Sequence, residues 1–392
     1  MKINKRSLDN IILIVGAGVF LWLLLLPQPG PSRTYFDTIK YGSATLKGQI
    51  PFSDFAAMVV GFRALYHQTD PYPKLGQAFK EELGIDWNVI HGSNHPPTSY
   101  LLAAPVALFS WPVASALWAW LMVCLIVFSY HLYGLSWKMS LGLMPLTLLW
   151  TPASASLGQV TIVWMFGLAL GYHFRKDKLF WSGASVALAS LSKYMPALVM
   201  IIFLVKRRWR AILGFVSVWL FSLALVSIMN PASVPRYIAE NRTTTFFLMW
   251  RTDNSAPLIA SYEYAGWLGV ALLILFFATI IFVNRRLFDE WKTHPSTRLW
   301  MLVSYLAVAC IPIFWIYSLM PLLPVIAYQF CERRLATIPL ILYSILIPCI
   351  YIQGGDQSVI PIASVCITVG LCFILDALPF RIFLKQWKSF AN

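Results

Sequence analysis

The chain has 392 residues, of which 59% are hydrophobic and only 12% are charged, and its mean hydropathy is +0.68. A soluble domain carries about 25% charged residues, so this composition excludes an ordinary soluble protein. The net charge of +14 is better explained by basic loops on one side of a membrane than by nucleic-acid binding. We expect an all-α, polytopic transmembrane helical bundle of about 9–13 membrane segments, some of them short hairpin helices.

The N-terminal region predicts a membrane anchor. Lys2, Lys5 and Arg6 precede an apolar run over 11–26, and no small-residue cleavage site follows it. We therefore interpret residues 1–27 as an uncleaved anchor helix whose N-terminus is cytoplasmic. Residues 28–97 are the longest polar stretch and are predicted to form a first outer loop with amphipathic helices. Residues 98–392 are predicted to form the transmembrane bundle, within one integral membrane domain.

Charge placement predicts where short helices reverse. The apolar stretch 179–205 lies between two basic clusters, RKDK and KRRWR, and a single crossing would put one cluster outside. Two short helices joined at 192–196 keep both clusters inside, and Pro196 disfavours helical geometry at Met195. The same reasoning predicts a hairpin over 139–174 with Gly158 and Gln159 at its outer tip. It also requires 98–110 to dip into the membrane and 113–134 to cross it.

These assignments place the whole positive excess inside and gather polar side chains from five chain regions outside, which suggests a site. Asp54 follows Ser53 in the first turn of a predicted helix, where the helix dipole favours a carboxylate. It is a candidate catalytic base, or it only stabilises the helix end. Lys193 places an ammonium in an apolar stretch, at a cost of about 2.5–3.5 kcal/mol. It binds an anion such as a lipid phosphate, or its side chain extends to the membrane surface.

Other polar residues are weaker candidates. Gln159 can both donate and accept hydrogen bonds, as sugars and phosphates require. Arg63 is a membrane-surface or phosphate contact, and Arg236, Arg242 and Arg251 either clamp a pyrophosphate or face water. His91 and His95 have metal-ligand spacing, but Pro96 and Pro97 argue against a regular helix and no third ligand follows. We therefore predict no metal. No nucleotide-binding motif is present either.

Several segments resemble glycosyltransferase family 87, a GT-C branch that includes polyprenyl-phosphate-mannose-dependent mannosyltransferases. The matching segments, in order, are DFAAMVVGFRALYHQTDPY, HPPTSYLLAAPVALF, GQVTIVWMFGLAL, SKYMPALVMIIFLVKRRW and DNSAPLIA. The chain departs from the family pattern at Thr161, where an Asn is common, and at Tyr317, where a His is common. Tyr317 can hydrogen-bond a phosphate but is not cationic at neutral pH.

The resemblance implies a GT-C type fold and roles for particular residues. It makes Asp54 the catalytic base and places Lys193 and Gln159 in the donor site. We add Arg251 and Tyr317 as further donor phosphate contacts. The expected acceptor or loop contacts are Arg63, Asp70, Tyr72, His95 and Asn254.

The hypothesis is therefore a membrane hexosyltransferase that needs no cofactor beyond its lipid-linked donor. It would move a mannose-like hexose from a polyprenyl phosphate to a glycan or glycolipid hydroxyl, at the outer face of the plasma (inner) membrane. A single base without a second carboxylate nucleophile predicts inversion. The expected partners are that donor, that acceptor and the bilayer, and not nucleic acid. The alternatives are a transporter or lipid flippase, and a glycan ligase or polymerase that uses a polyprenyl-pyrophosphate donor.

Overall fold

The computed structural model describes residues 5–25, 53–85, 93–150, 158–240, 256–289, 295–311, 316–332 and 359–377. Within these ranges the regular structure is entirely helical, which confirms the predicted all-α helical bundle.

The α-helices range from 4 to 27 residues in length. The α-helices are α1 (Lys5–Leu25), α2 (Ser53–His67), α3 (Leu75–Leu83), α4 (Pro97–Tyr100), α5 (Ala104–Ala107), α6 (Trp111–Leu132), α7 (Trp137–Trp150), α8 (Thr161–Phe174), α9 (Leu179–Ser190), α10 (Ile201–Val205), α11 (Trp209–Met229), α12 (Pro257–Val283), α13 (Arg286–Asp289), α14 (Thr297–Ala309), α15 (Leu323–Glu332) and α16 (Val359–Ala377). Two 3₁₀ helices span Met195–Met200 and Ile316–Leu322, and residues 233–240 are also helical.

Three of the described helices are long and apolar enough to cross a membrane: α6, α11 and α12, with 22, 21 and 27 residues. A crossing takes about 20 helical residues. Helix α12 is bent at Gly266, where φ is +57°. The segment before α6 contains only α4 and α5, of four residues each. It is too short to cross, as the sequence predicts for 98–110.

The chain reverses after α9, also as predicted. Helix α9 ends at Ser190, and a 3₁₀ helix with Pro196 as its second residue begins at Met195. Helices α9 and α11 then run parallel, because Gly183 lies against Ala211 while the Trp219 indole donates to Ser190 Oγ over 2.8 Å. Their N-termini, and with them the two basic clusters, therefore lie at the same end of the bundle.

Further contacts bring other basic segments to that end. The Lys138 ammonium donates to Asn10 Oδ1 over 3.0 Å, which places the starts of α1 and α7 together. The Tyr133 and Tyr172 rings are 5.0 Å apart. Arg175 Nε donates to the Pro295 carbonyl over 3.0 Å. We call this the basic end, formed by the starts of α1, α7, α9 and α11 and by the residues that precede α14.

The opposite end of the same helices carries the predicted site segments. The Trp118 indole, near the start of α6, donates to the Gly158 carbonyl over 3.0 Å. The Thr98 hydroxyl donates to the Leu191 carbonyl over 2.9 Å. The Asn230 amide, just after α11, donates to the Thr69 carbonyl over 2.7 Å. We call this the site end.

Candidate active site

Asp54 is positioned by the packing of α2. It lies in the first turn of that helix, as predicted, and the helix continues to His67. The neighbouring Phe55 ring stacks on Trp118, with centroids 4.4 Å apart and planes 7° apart. Because Trp118 also donates to the carbonyl of Gly158, the start of α2 and the segment that carries Gln159 lie against the same indole. Helix α2 is largely buried, although its residues belong to the predicted outer loop.

Lys193 lies in the break after α9, and the Thr98 bond to Leu191 ties that break to α4. Asp54 and Lys193 are close enough for the charge of each to change the pKa of the other. Burial raises the pKa of Asp54 to about 6, and the Lys193 charge opposes the increase. Burial lowers the pKa of Lys193 to about 8, and the Asp54 carboxylate opposes the decrease. At neutral pH Asp54 is therefore mainly a carboxylate and Lys193 mainly an ammonium.

His95 is close enough to Lys193 for the Lys193 charge to affect its pKa. Its side chain is buried, and burial together with the Lys193 charge lowers its pKa to about 4. It is therefore a neutral imidazole at physiological pH, suited to hydrogen bonding and not to ion pairing. The Tyr72 hydroxyl donates to the His95 carbonyl over 2.9 Å. This hydrogen bond links Tyr72, in the turn after α2, to the main chain at His95.

Asp70 and Arg236 form an exposed ion pair at the site end. Arg236 Nη2 donates to Asp70 Oδ2 over 2.6 Å, and its Nε donates to Oδ1 over 3.4 Å. Asp70 Oδ1 also accepts from the Tyr72 main-chain N–H over 3.0 Å. The pair therefore fastens the turn after α2 to the segment after α11. These contacts show that Asp70 stabilises the loop structure. Its expected contact with the acceptor stays a prediction.

Arg63 makes its contacts within the protein. Its Nε and Nη2 donate to the carbonyls of Ala107 and Phe109 over 2.9 and 2.8 Å. Its Nη1 donates to the Glu82 carbonyl over 2.7 Å and lies 3.7 Å from the Glu82 carboxylate. A guanidinium has five N–H donors in a fixed fork, which suits such multiple contacts. Arg63 therefore joins α2 to α3 and to the end of α5. Its expected role as an acceptor or loop contact stays a prediction.

Four buried polar atoms at the start of α8 and just beyond the end of α9 have no hydrogen-bond partner among the described residues, and one of them is the indole Nε1 of Trp164. The other three are Gln159 Oε1, Thr161 Oγ1 and Ser192 Oγ. Gln159 was predicted from the sequence, whereas Thr161 stood out only as a departure from a family pattern and Ser192 only as part of a helix break. The signal for both is their position at adjoining ends of two antiparallel helices, next to Gln159 and Lys193.

Some predicted residues cannot be placed. Arg251, Asn254, His91 and Arg242 lie outside the described residues, and so does the side chain of Tyr317. The backbone of Tyr317 belongs to the 3₁₀ helix Ile316–Leu322, which packs against α8.

The described site therefore joins Asp54, Lys193, His95, Gln159, Thr161 and Ser192 from four chain segments. It offers a base near neutral pH, an adjacent cation for an anionic group, and uncharged polar groups beside them. A base can accept a proton from a hydroxyl, and a cation can stabilise a leaving group that gains negative charge.

Comparison with known proteins gives one family match. The model of glycosyltransferase family 87 matches residues 94–315, which is more than half of the chain. The matched range contains His95, Gln159 and Lys193, whereas Asp54 precedes it. No curated protein and no solved structure matches the chain.

Proposed function

This chain belongs to glycosyltransferase family 87 and is a membrane glycosyltransferase, and we propose that it transfers a mannose-like hexose from a polyprenyl phosphate to a hydroxyl group of a glycan or glycolipid. The observation that carries the proposal is the proximity of the partly buried Asp54 and Lys193, whose charges affect each other's pKa. It combines a proton acceptor with a cation for a phosphate, and a transfer of this type needs both.

The reaction follows from the chemistry of the pair. The Asp54 carboxylate takes the proton of the acceptor hydroxyl, whose oxygen attacks the anomeric carbon of the donor. The bond between that carbon and the phosphate oxygen breaks, and the lipid phosphate leaves with the electron pair. Lys193 stabilises the negative charge that develops on the phosphate. A single displacement inverts the anomeric centre, and no second carboxylate is needed as a nucleophile.

The burial of Asp54 suits the role of a base. An ordinary Asp has a pKa of about 3.9 and binds a proton weakly at neutral pH. Burial raises the pKa of Asp54 to about 6, so the group stays ionised at pH 7 yet is a stronger base. General-base catalysis is most effective when the pKa lies near the working pH.

The same geometry supports a site on the outer face of the plasma (inner) membrane. Basic loops favour the cytoplasmic side, and the described basic clusters lie at the basic end. Asp54 and Lys193 lie at the site end, next to α4 and Gly158. We therefore place the N-terminus in the cytoplasm and the reaction outside.

One contact weighs against the pyrophosphate-dependent alternative. That reaction would rely on the arginines that follow α11, but Arg236 forms an ion pair with Asp70. The proposed reaction relies instead on Lys193, whose charge affects the pKa of Asp54.

The Asp54→Asn variant tests the proposal, because it keeps the side-chain shape and removes the base. We expect transfer of labelled sugar from polyprenyl-phosphate hexose to fall about 10²–10⁴-fold in isolated membranes. Binding of the donor lipid should remain. The matched control is Asp177→Asn, the same chemical change at an exposed residue of the basic end, which should leave transfer unchanged. Full transfer activity in Asp54→Asn would rule out Asp54 as the catalytic base.

A further inference from the structure

We propose that Gln159, Thr161 and Ser192 form a pocket that binds hydroxyl groups of the transferred sugar and so selects the donor. We call these three residues the hydroxyl pocket. The inference rests on the proposed function, since it assigns the part of the donor site beyond the phosphate.

The three residues are brought together by the antiparallel packing of α8 on α9. Ser182 Oγ donates to the Gly171 carbonyl over 2.7 Å, which fixes the register of the two helices. Gly167 of α8 packs closely against Ser185 and Ala189 of α9, where a Cβ on Gly167 would collide. The two helices therefore keep the same register beyond Gly171 and Ser182. Thr161 lies ten residues before Gly171, and Ser192 lies ten residues after Ser182. Thr161 and Ser192 are therefore level with each other at the site end, with Gln159 just before α8.

The side chains of all three are buried, with exposed fractions of 1% for Gln159, 0% for Thr161 and 3% for Ser192. Gln159 Oε1, Thr161 Oγ1 and Ser192 Oγ have no hydrogen-bond partner among the described residues. Folded proteins rarely leave buried polar atoms in this state, and each case requires an explanation. These three atoms lie at adjoining ends of α8 and α9, and a polar ligand would give each of them a partner.

The chemistry of these atoms favours a hydroxyl over a phosphate. A phosphodiester oxygen can only accept hydrogen bonds, whereas an amide oxygen needs a donor. A sugar hydroxyl donates and accepts, so it satisfies either end of the Gln159 amide and either hydroxyl side chain. The unpartnered Oε1 of Gln159 is therefore assigned to a sugar hydroxyl, which can donate to it.

The position of the pocket fits a hexosyl phosphate. Ser192 directly precedes Lys193, which the proposed function assigns to the phosphate. In a hexosyl phosphate the hydroxyls surround the same ring that carries the phosphate. A ligand held at Lys193 by its phosphate would therefore present hydroxyls to the adjoining pocket.

The test compares binding of lipids with and without a sugar to the full-length protein in nanodiscs. The probes are bare polyprenyl phosphate and polyprenyl-phosphate mannose, glucose and galactose. We expect the wild-type protein to bind at least one glycosylated lipid about tenfold or more tightly than the bare lipid. Thr161→Val and Ser192→Ala should each remove about tenfold of that preference and leave affinity for the bare lipid unchanged.

Ser185→Ala is the matched control, because it removes a buried hydroxyl of α9 that already donates to the Trp181 carbonyl. It should not change the preference between lipids. Lys193→Met tests the proposed function separately, since it should weaken binding of bare and glycosylated lipids alike.

Three outcomes would overturn the hydroxyl pocket. They are a wild-type protein without preference for any glycosylated lipid, pocket variants that keep the wild-type preference, and pocket variants that weaken both kinds of lipid equally. Unchanged binding of bare lipid by Lys193→Met would instead contradict the phosphate assignment in the proposed function. The two failures are therefore distinguishable.

Discussion

Burial shifts the pKa values of Asp54 and Lys193 in opposite directions. Burial raises the pKa of the acid to about 6 and lowers that of the amine to about 8, and the mutual attraction of the charges limits both changes. The two pKa values therefore approach each other on either side of neutral pH. The combination that the proposed reaction needs, a carboxylate with an ammonium, exists between these two pKa values.

This interval predicts a bell-shaped dependence of kcat/KM on pH. Below about pH 6 Asp54 gains a proton and can no longer act as a base, so activity falls as the pH decreases. Above about pH 8 Lys193 loses its charge, so activity falls as the pH increases. The apparent values belong to the interacting pair. They can be measured by initial-rate transfer assays between pH 5 and pH 10.

Lys193→Arg provides the control for the alkaline side. A guanidinium stays protonated across this pH range, so the decrease above pH 8 should disappear while the decrease below pH 6 remains. An unchanged alkaline decrease in Lys193→Arg would show that a different group causes it.

The sequence predicted Asp54, Lys193, Gln159 and His95 as site residues, but it did not predict the environment of their side chains. The position of Asp54 in the first turn of a helix predicted a favoured carboxylate. The structure shows burial acting in the opposite direction, because α2 packs into the bundle. Sequence position does not reveal that packing. Arg63 is similar, since its three carbonyl partners lie 19 to 46 residues away along the chain.

At the scale of helices, the contact between α9 and α11 sets the position of Lys193. The two helices approach closely at Gly183 and Gly214, where a Cβ would collide with main-chain atoms of the facing helix. Small residues allow such approach between membrane helices. Because α9 leads directly into the break that carries Lys193, its distance from α11 affects the site.

We therefore expect Gly183→Ala to lower stability by about 1–3 kcal/mol, the usual cost of overpacking a tight contact. A decrease in Tm in detergent would show it. Gly18→Ala is the matched control, because a Cβ on Gly18 meets nothing within 4 Å. It should leave Tm unchanged or raise it slightly, since Ala favours helix by up to about 1 kcal/mol. Equal effects of the two substitutions would contradict the close contact.

The helix break between α9 and the Met195–Met200 helix was predictable from the sequence, and the reason is electrostatic. Two basic clusters separated by 27 residues could share one side only if the chain reversed between them. The same electrostatic argument predicted the hairpin over 139–174. The register that aligns Thr161 with Ser192 was not predictable, because it depends on the packing of Gly167 and Gly171 against α9.

At the scale of the whole molecule, the basic clusters and the candidate active site lie at opposite ends of the bundle. The basic clusters meet at the basic end, and the candidate active site lies at the site end. This arrangement predicts the orientation of the protein in its membrane. The basic end should face the cytoplasm.

Single cysteines can test that orientation in a variant whose six natural cysteines are replaced by alanine. Ala239→Cys lies at an exposed position near Arg236, and Asp177→Cys lies at an exposed position of the basic end. A membrane-impermeant maleimide should label the first in intact spheroplasts and the second only after the membrane is opened. The reverse pattern would place the active site in the cytoplasm.

The lowered pKa of Lys193 also makes it a chemical reporter. With a pKa of about 8, roughly a tenth of this amine is unprotonated at pH 7, whereas an ordinary lysine, with a pKa of about 10.4, is almost fully protonated. Only the unprotonated form attacks acylating reagents. A small reagent should therefore modify Lys193 ahead of surface lysines. A phosphate bound to its ammonium would suppress that modification, so the extent of acylation measures how much of the protein holds a donor.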